Sequence, residues 1–177
     1  RDFSDWYDAG RWERFHSHAW TIDEGHCRIS EPWGGWYTGI GQCNSVIEDL
    51  KHLTADQLGM SPEELEYFRL QLRALRAWYH YYLFDGYRNI IIYKSAGAED
   101  VKSLSQADPK ETFNWIEKEC LECLDKLPAK TNGAGNGERQ GQFNKAAIAT
   151  LLVRLYLNAE KYIGVPHYQE CIAMAKR

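Results

Sequence analysis

The chain has 177 residues, 44% of them apolar and 26% charged, a balance that fits one globular domain and excludes a disordered tail or a coiled-coil rod. Its net charge of −4 argues against a nucleic-acid binder that tracks phosphates. No apolar run approaches the ~20 residues that a bilayer-spanning helix needs.

In chain order, residues 1–32 stand apart. Five of the seven tryptophans, Trp6, Trp12, Trp20, Trp33 and Trp36, fall in or just beyond this stretch, with Phe3, Tyr7 and Phe15 among them. Gly25, Pro32, Gly34 and Gly35 punctuate it, so it reads as a loop-rich aromatic segment with at most a short helix around Ser4–Phe15. From about Pro32 the pattern turns helical. Trp36, Ile40, Cys43, Ile47 and Leu50 recur at three and four residues, the mark of one buried stripe.

After a break at Leu58-Gly59-Met60, Ser61-Pro62-Glu63-Glu64 supplies an N-cap, a first-turn proline and acidic first-turn residues. The helix that follows places Leu65, Phe68, Leu72, Leu75, Tyr79 and Tyr82 on one stripe and is apolar nearly all round in its second half. Asp85-Gly86 should end it, leaving Tyr87–Lys94 extended. Asp108-Pro109-Lys110-Glu111 repeats the start signal for a helix through Phe113, Ile116, Cys120, Cys123 and Leu127, closed by Pro128. Four glycines between Lys130 and Gln142 mark a flexible loop by composition. Further helices are expected over Phe143–Lys161 and from about Pro166 onward. The last runs to Arg177 without a Gly or Pro stop, and Arg1 opens without a leader, so the chain is expected to be a piece of a longer protein.

The fold class expected is therefore all-α, built of tetratricopeptide-like antiparallel helix pairs over residues 33–177 with a loop-rich segment before them. Leu75-Arg76-Ala77-Trp78-Tyr79 and Val153-Arg154-Leu155-Tyr156 carry similar helical cores, although no repeat fits the 34-residue consensus well. The five cysteines are odd in number and unevenly spaced, which implies no disulfide framework. Cys120 and Cys123 lie in a helical pattern without a second pair or nearby histidines, and are expected to be buried thiols. His80, amid Trp78-Tyr79-His80-Tyr81-Tyr82, is expected to be a satisfied core histidine. Arg76 and Arg154 are expected to be paired internally.

Four ordered blocks resemble the SusD-like (RagB/SusD) nutrient-binding family. Trp33-Gly34-Gly35-Trp36-Tyr37 to Asn44 is similar to its first helix, and Leu72-Arg73-Ala74-Leu75-Arg76-Ala77-Trp78-Tyr79 to Gly86-Tyr87 to its second. Trp115-Ile116-Glu117 to Leu127-Pro128 and Phe143-Asn144-Lys145-Ala146-Ala147 to Arg154-Leu155-Tyr156-Leu157 follow. Two departures, Glu119-Cys120 in place of Asp-Leu and Asn144 in place of Thr, are expected to touch only helix surfaces and loops. The resemblance implies a lipid-anchored protein on the outer-membrane surface. Such a protein captures glycan, partners a SusC-like TonB-dependent transporter, needs no cofactor and is not an enzyme.

A pyranose ring offers a C–H face to an aromatic platform and a hydroxyl belt to carboxylates, amides and guanidinium groups. Trp20 and Trp33, with Asp23 and Arg28 nearby, are the first ligand-binding candidates on that chemistry. The alternative function is a helical-repeat scaffold for protein–protein interaction, in which these tryptophans only pack. His16-x-His18 with His26 and Asp23 does not make a convincing metal set. Asp23-Glu24 does not show the fixed carboxyl separation that glycoside hydrolysis requires. No nucleophile-elbow, P-loop or dinucleotide fingerprint occurs.

Overall fold

The computed structural model describes residues 16–19, 26–96, 104–129 and 141–177. The chain divides into two compact units, Arg1–Tyr37 and Thr38–Arg177. Among the described residues every regular element is helical: α1 (His26–Asp49), α2 (Ala55–Leu58), α3 (Pro62–Tyr87), α4 (Pro109–Leu124), α5 (Lys145–Leu157), α6 (Ala159–Ile163) and α7 (Tyr168–Ala175). The expected all-α architecture is the one that forms.

Local chemistry sets the helix starts. At α3, Ser61 Oγ accepts the Glu64 N–H at 3.2 Å while Glu64 Oε2 accepts the Ser61 N–H at 3.0 Å. This reciprocal pair satisfies two donors that the first turn would leave orphaned. Thr54 and Gln57 do the same for α2. Asp108 caps α4 through the Lys110 N–H at 2.8 Å. Asn144, the departure noted above, accepts the Ala147 N–H at 2.8 Å and caps α5, so it performs the role a threonine would.

Two boundaries differ from expectation. Helix α1 opens at His26 rather than Pro32 and carries Pro32 inside it, so residues 26–32 of the expected loop-rich segment are helical. Pro32 gives up one backbone hydrogen bond, but once a helix is nucleated each added residue contributes another. The expected helix over Phe143–Lys161 is divided at Asn158 into α5 and α6.

In the second unit, cross-helix contacts fix the directions. Residues 39, 44 and 50 of and after α1 meet residues 79, 76 and 69 of α3 in reverse order. Likewise Glu119 and Trp115 of α4 meet Arg76 and His80 of α3. Tyr82 on α3 pairs with Arg154 on α5, and Gln71 with Phe143 just before it, so α3 and α5 run parallel with α4 opposed to both. Helix α7 packs on α5, and Phe113 touches His167. These are stacked antiparallel helix pairs. The α1–α3 crossing is close: a Cβ on Gly39 would lie 2.6 Å from the Tyr79 ring, which only glycine avoids.

The buried side of α3 is not the expected stripe. Of Leu65, Phe68, Leu72, Leu75, Tyr79 and Tyr82 only Leu65 is buried, and Phe68 is 46% exposed. The enclosed set is Leu70, Ala74, Ala77, Tyr81, Leu83 and Phe84, with Arg76 and His80 among them. A helix apolar on most sides has several candidate faces. The small Ala74 and Ala77 let neighbours approach closely, and that approach selects the face.

Candidate functional site

The first unit holds the sequence-derived candidates. Trp33 lies on helix α1 and is half-buried. Its ring meets Tyr37, one turn on, with centroids 4.9 Å apart and planes tilted by 57°. Such a pair presents two angled faces rather than one flat platform. Arg28 is also on α1. Trp20 and Asp23 lie outside the described residues, as does the whole of the possible helix at Ser4–Phe15. His16 and His18 are exposed, and no three His, Cys, Asp or Glu side chains among the described residues are placed to hold a metal ion.

In the second unit a buried polar knot joins three elements. Arg76, 8% exposed, donates from Nη1 to Asn44 Oδ1 and to the Lys94 carbonyl, each at 2.8 Å, and from Nη2 to Glu119 Oε2 at 2.8 Å. Arg73 reaches the other Glu119 oxygen at 2.9 Å. Burial alone would raise the Glu119 carboxyl, but hydrogen bonds from Arg73 and Arg76 outweigh it and hold the group below the usual range. The departure at Glu119 is therefore not a helix-surface change: the residue is buried because two guanidinium groups neutralise it there. The guanidinium of Arg76 also lies over the Trp115 ring, 5.7 Å from its centroid. Arg154, by contrast, is exposed rather than internal, and its Nη1 donates to the Tyr82 hydroxyl at 3.0 Å, a surface tie between two helices.

His80 is wholly buried, with Nδ1–H directed at the Arg76 carbonyl, 2.8 Å away, and Nε2 accepting the Tyr93 N–H at 3.2 Å. It is the satisfied core histidine expected. Cys120 and Cys123 are buried free thiols, and burial pushes Cys120 up and Cys123 to about 11. Neither thiol is poised for nucleophilic or redox chemistry.

A feature that periodicity missed is an open groove of about 470 Å³ lined by Val46, Leu50, Met60, Phe68, Leu72 and Phe143 among others. Its signal is the apolar stripe of α3 itself, which pattern assigns to the core although four of its six residues, Leu65, Phe68, Leu72 and Leu75, line this groove. Gln71 closes one side by exchanging two hydrogen bonds with the Phe143 backbone, at 2.7 and 2.8 Å.

A frame of antiparallel helix pairs, preceded in the sequence by an aromatic-rich stretch, defines an all-α helical domain. The sequence profile of the SusD-like family, described as starch-binding and associating with the outer membrane, matches residues 1–157. The chain belongs to that family. Among solved structures it is similar to a SusD-like protein from Bacteroides fragilis, at 20% identity over 98% of this chain and 30% of that one, with a TM-score of 0.76. A laminarin-binding SusD-like protein is 24% identical over 82% of this chain and 28% of that one, TM-score 0.68. Surface glycan-binding protein A from Bacteroides uniformis is 18% identical over 82% and 30%, TM-score 0.67. The chain thus spans under a third of the length of these structures. No curated protein matches the sequence. No helix among the described residues is long and apolar enough to cross a membrane.

Proposed function

We propose that this chain is part of a cell-surface protein that captures glycan and hands it to a SusC-like TonB-dependent transporter, held at the outer membrane by a lipid anchor. The observation that carries this reading is the family match over residues 1–157. The action is binding and release, with no covalent step and no cofactor. Trp33 and Tyr37 supply aromatic faces on a rigid helix, and Arg28 on the same helix supplies a donor for sugar hydroxyls. Trp20 and Asp23 complete the proposed ligand set.

Titration of the chain, and of a longer polypeptide containing it, with soluble starch-type and laminarin-type glucans tests the proposal by calorimetry or tryptophan emission. Saturable binding is expected, weakened five- to tenfold by Trp33→Ala, a loss of about 1 kcal/mol. Insensitivity of both polypeptides to a broad glycan panel would overturn it. The alternative of an interaction scaffold draws on the apolar groove beside α3. It predicts that substitutions at Phe68, rather than Trp33, abolish function.

A further inference from the structure

Between α3 and α4 the chain leaves its helix through an unusual hinge. Arg88 has φ 61° and ψ −57°, and the Asn89 N–H bonds the Tyr87 carbonyl at 2.6 Å across it. This is a γ-turn with a positive φ at its centre, a strained state for a residue that bears a side chain. Beyond the hinge, Ile90 and Ile92 are buried, yet no strand among the described residues takes up the backbone. Side chains do so instead. The Tyr93 carbonyl accepts from Asn44 Nδ2 at 3.0 Å, the Lys94 carbonyl from Arg76 Nη1 at 2.8 Å, and the Tyr93 N–H donates to His80 Nε2 at 3.2 Å. One backbone bond, from the Ala107 N–H to the Ile90 carbonyl at 2.8 Å, is added.

We propose that residues 88–96 form an acid-releasable strap, held to α1 and α3 while His80 is neutral and released when its ring takes a second proton. Both ring nitrogens are committed in the neutral form. A proton on Nε2 would set two N–H donors against each other at Tyr93. Opening also frees Arg88 from its strained turn, so the hinge favours release once the latch fails.

The ionisable groups that act on the ring are Arg76, on its own helix, and Glu119, on α4, while Trp115 faces it from α4 with ring centroids 4.4 Å apart. Burial, aided by the Arg76 charge, pushes the imidazole down to about 4 from its ordinary 6.5, against the Arg76 carbonyl and Glu119. A lowered value means the closed state prefers the unprotonated ring. The preference is complete above pH 6.5 and is lost as the pH falls toward about 4. Across that window the open population rises roughly tenfold per pH unit.

Hydrogen exchange of the full chain, with protection factors corrected for intrinsic rate, reads this directly. Protection of the peptide covering 88–96 is expected to fall roughly tenfold per unit below pH 6.5 and to lie below that of the α4 and α5 interiors at every pH, because the strap opens without the helices. Arg88→Gly, which accepts a positive φ without strain, is expected to raise strap protection at every pH. His80→Gln is expected to make it independent of pH. Strap protection that stays flat, or that equals the protection of the helix interiors throughout, would overturn the proposal. So would an Arg88→Gly strap no better protected than the native one.

Discussion

Glu119 sits between two arginines supplied by one helix, and its side chain is 11% exposed. Removing it would leave Arg76, 9% exposed at its side chain, with a buried charge and no counter-ion. Breaking a buried pair from one side costs about 3 kcal/mol or more. Glu119→Gln is therefore expected to lower the urea midpoint sharply. Glu122→Gln, at a carboxylate 44% exposed, should cost under about 1 kcal/mol. The pH dependence has a definite sign. A carboxyl held below its ordinary 4.5 adds stability above that value and loses it as the pH falls through the lowered one. His80 acts in the same direction but begins nearer pH 6.5, so the strap responds before the knot does. Pattern alone marks Arg76 as an internal partner but assigns Glu119 to the surface. On the sequence Glu119 looks no different from Glu122, one turn further along the same helix. Its partners lie 43 and 46 residues upstream, and only their approach separates a buried counter-ion from a solvated carboxylate.

At the level of the helix, α3 shows where patterning reaches its limit. Its start is readable because a cap involves neighbours in sequence: Ser61, Pro62 and Glu64 meet whatever the rest of the chain does. Its inward face is not, because a helix apolar on most sides satisfies several stripes equally and the choice belongs to α1, α4 and α5. The consequence can be tested. Phe68, which the stripe assigns to the core, is 46% exposed, and Phe68→Gln should change stability by less than about 1 kcal/mol. Ala74, fully enclosed, should tolerate growth poorly. Ala74→Leu is expected to cost about 1–3 kcal/mol through overpacking, measured by thermal or urea unfolding. The reverse ranking would restore the leucine stripe as the core.

For the molecule as a whole, burial of the thiols offers a probe of opening. Cys43, Cys120 and Cys123 are enclosed, whereas Cys171 is only half-buried. An alkylating reagent at neutral pH is expected to modify Cys171 well before Cys120, and Cys120 at a rate that tracks unfolding. Rapid native-state labelling of Cys120 would show that α4 is not sealed. The amino-acid sequence by itself determined the capped starts of α3, α4 and α5, the buried thiols, the satisfied core place of His80 and, through four ordered blocks, the family. Each of these is a local or linear property, set by residues a few positions apart. Only the tertiary structure decided which face of α3 turns inward, that Glu119 is a buried counter-ion, and that Tyr93 is latched by His80 beyond a strained turn at Arg88. Those depend on groups brought together from distant parts of the chain, where desolvation and close approach, rather than propensity, set the energy.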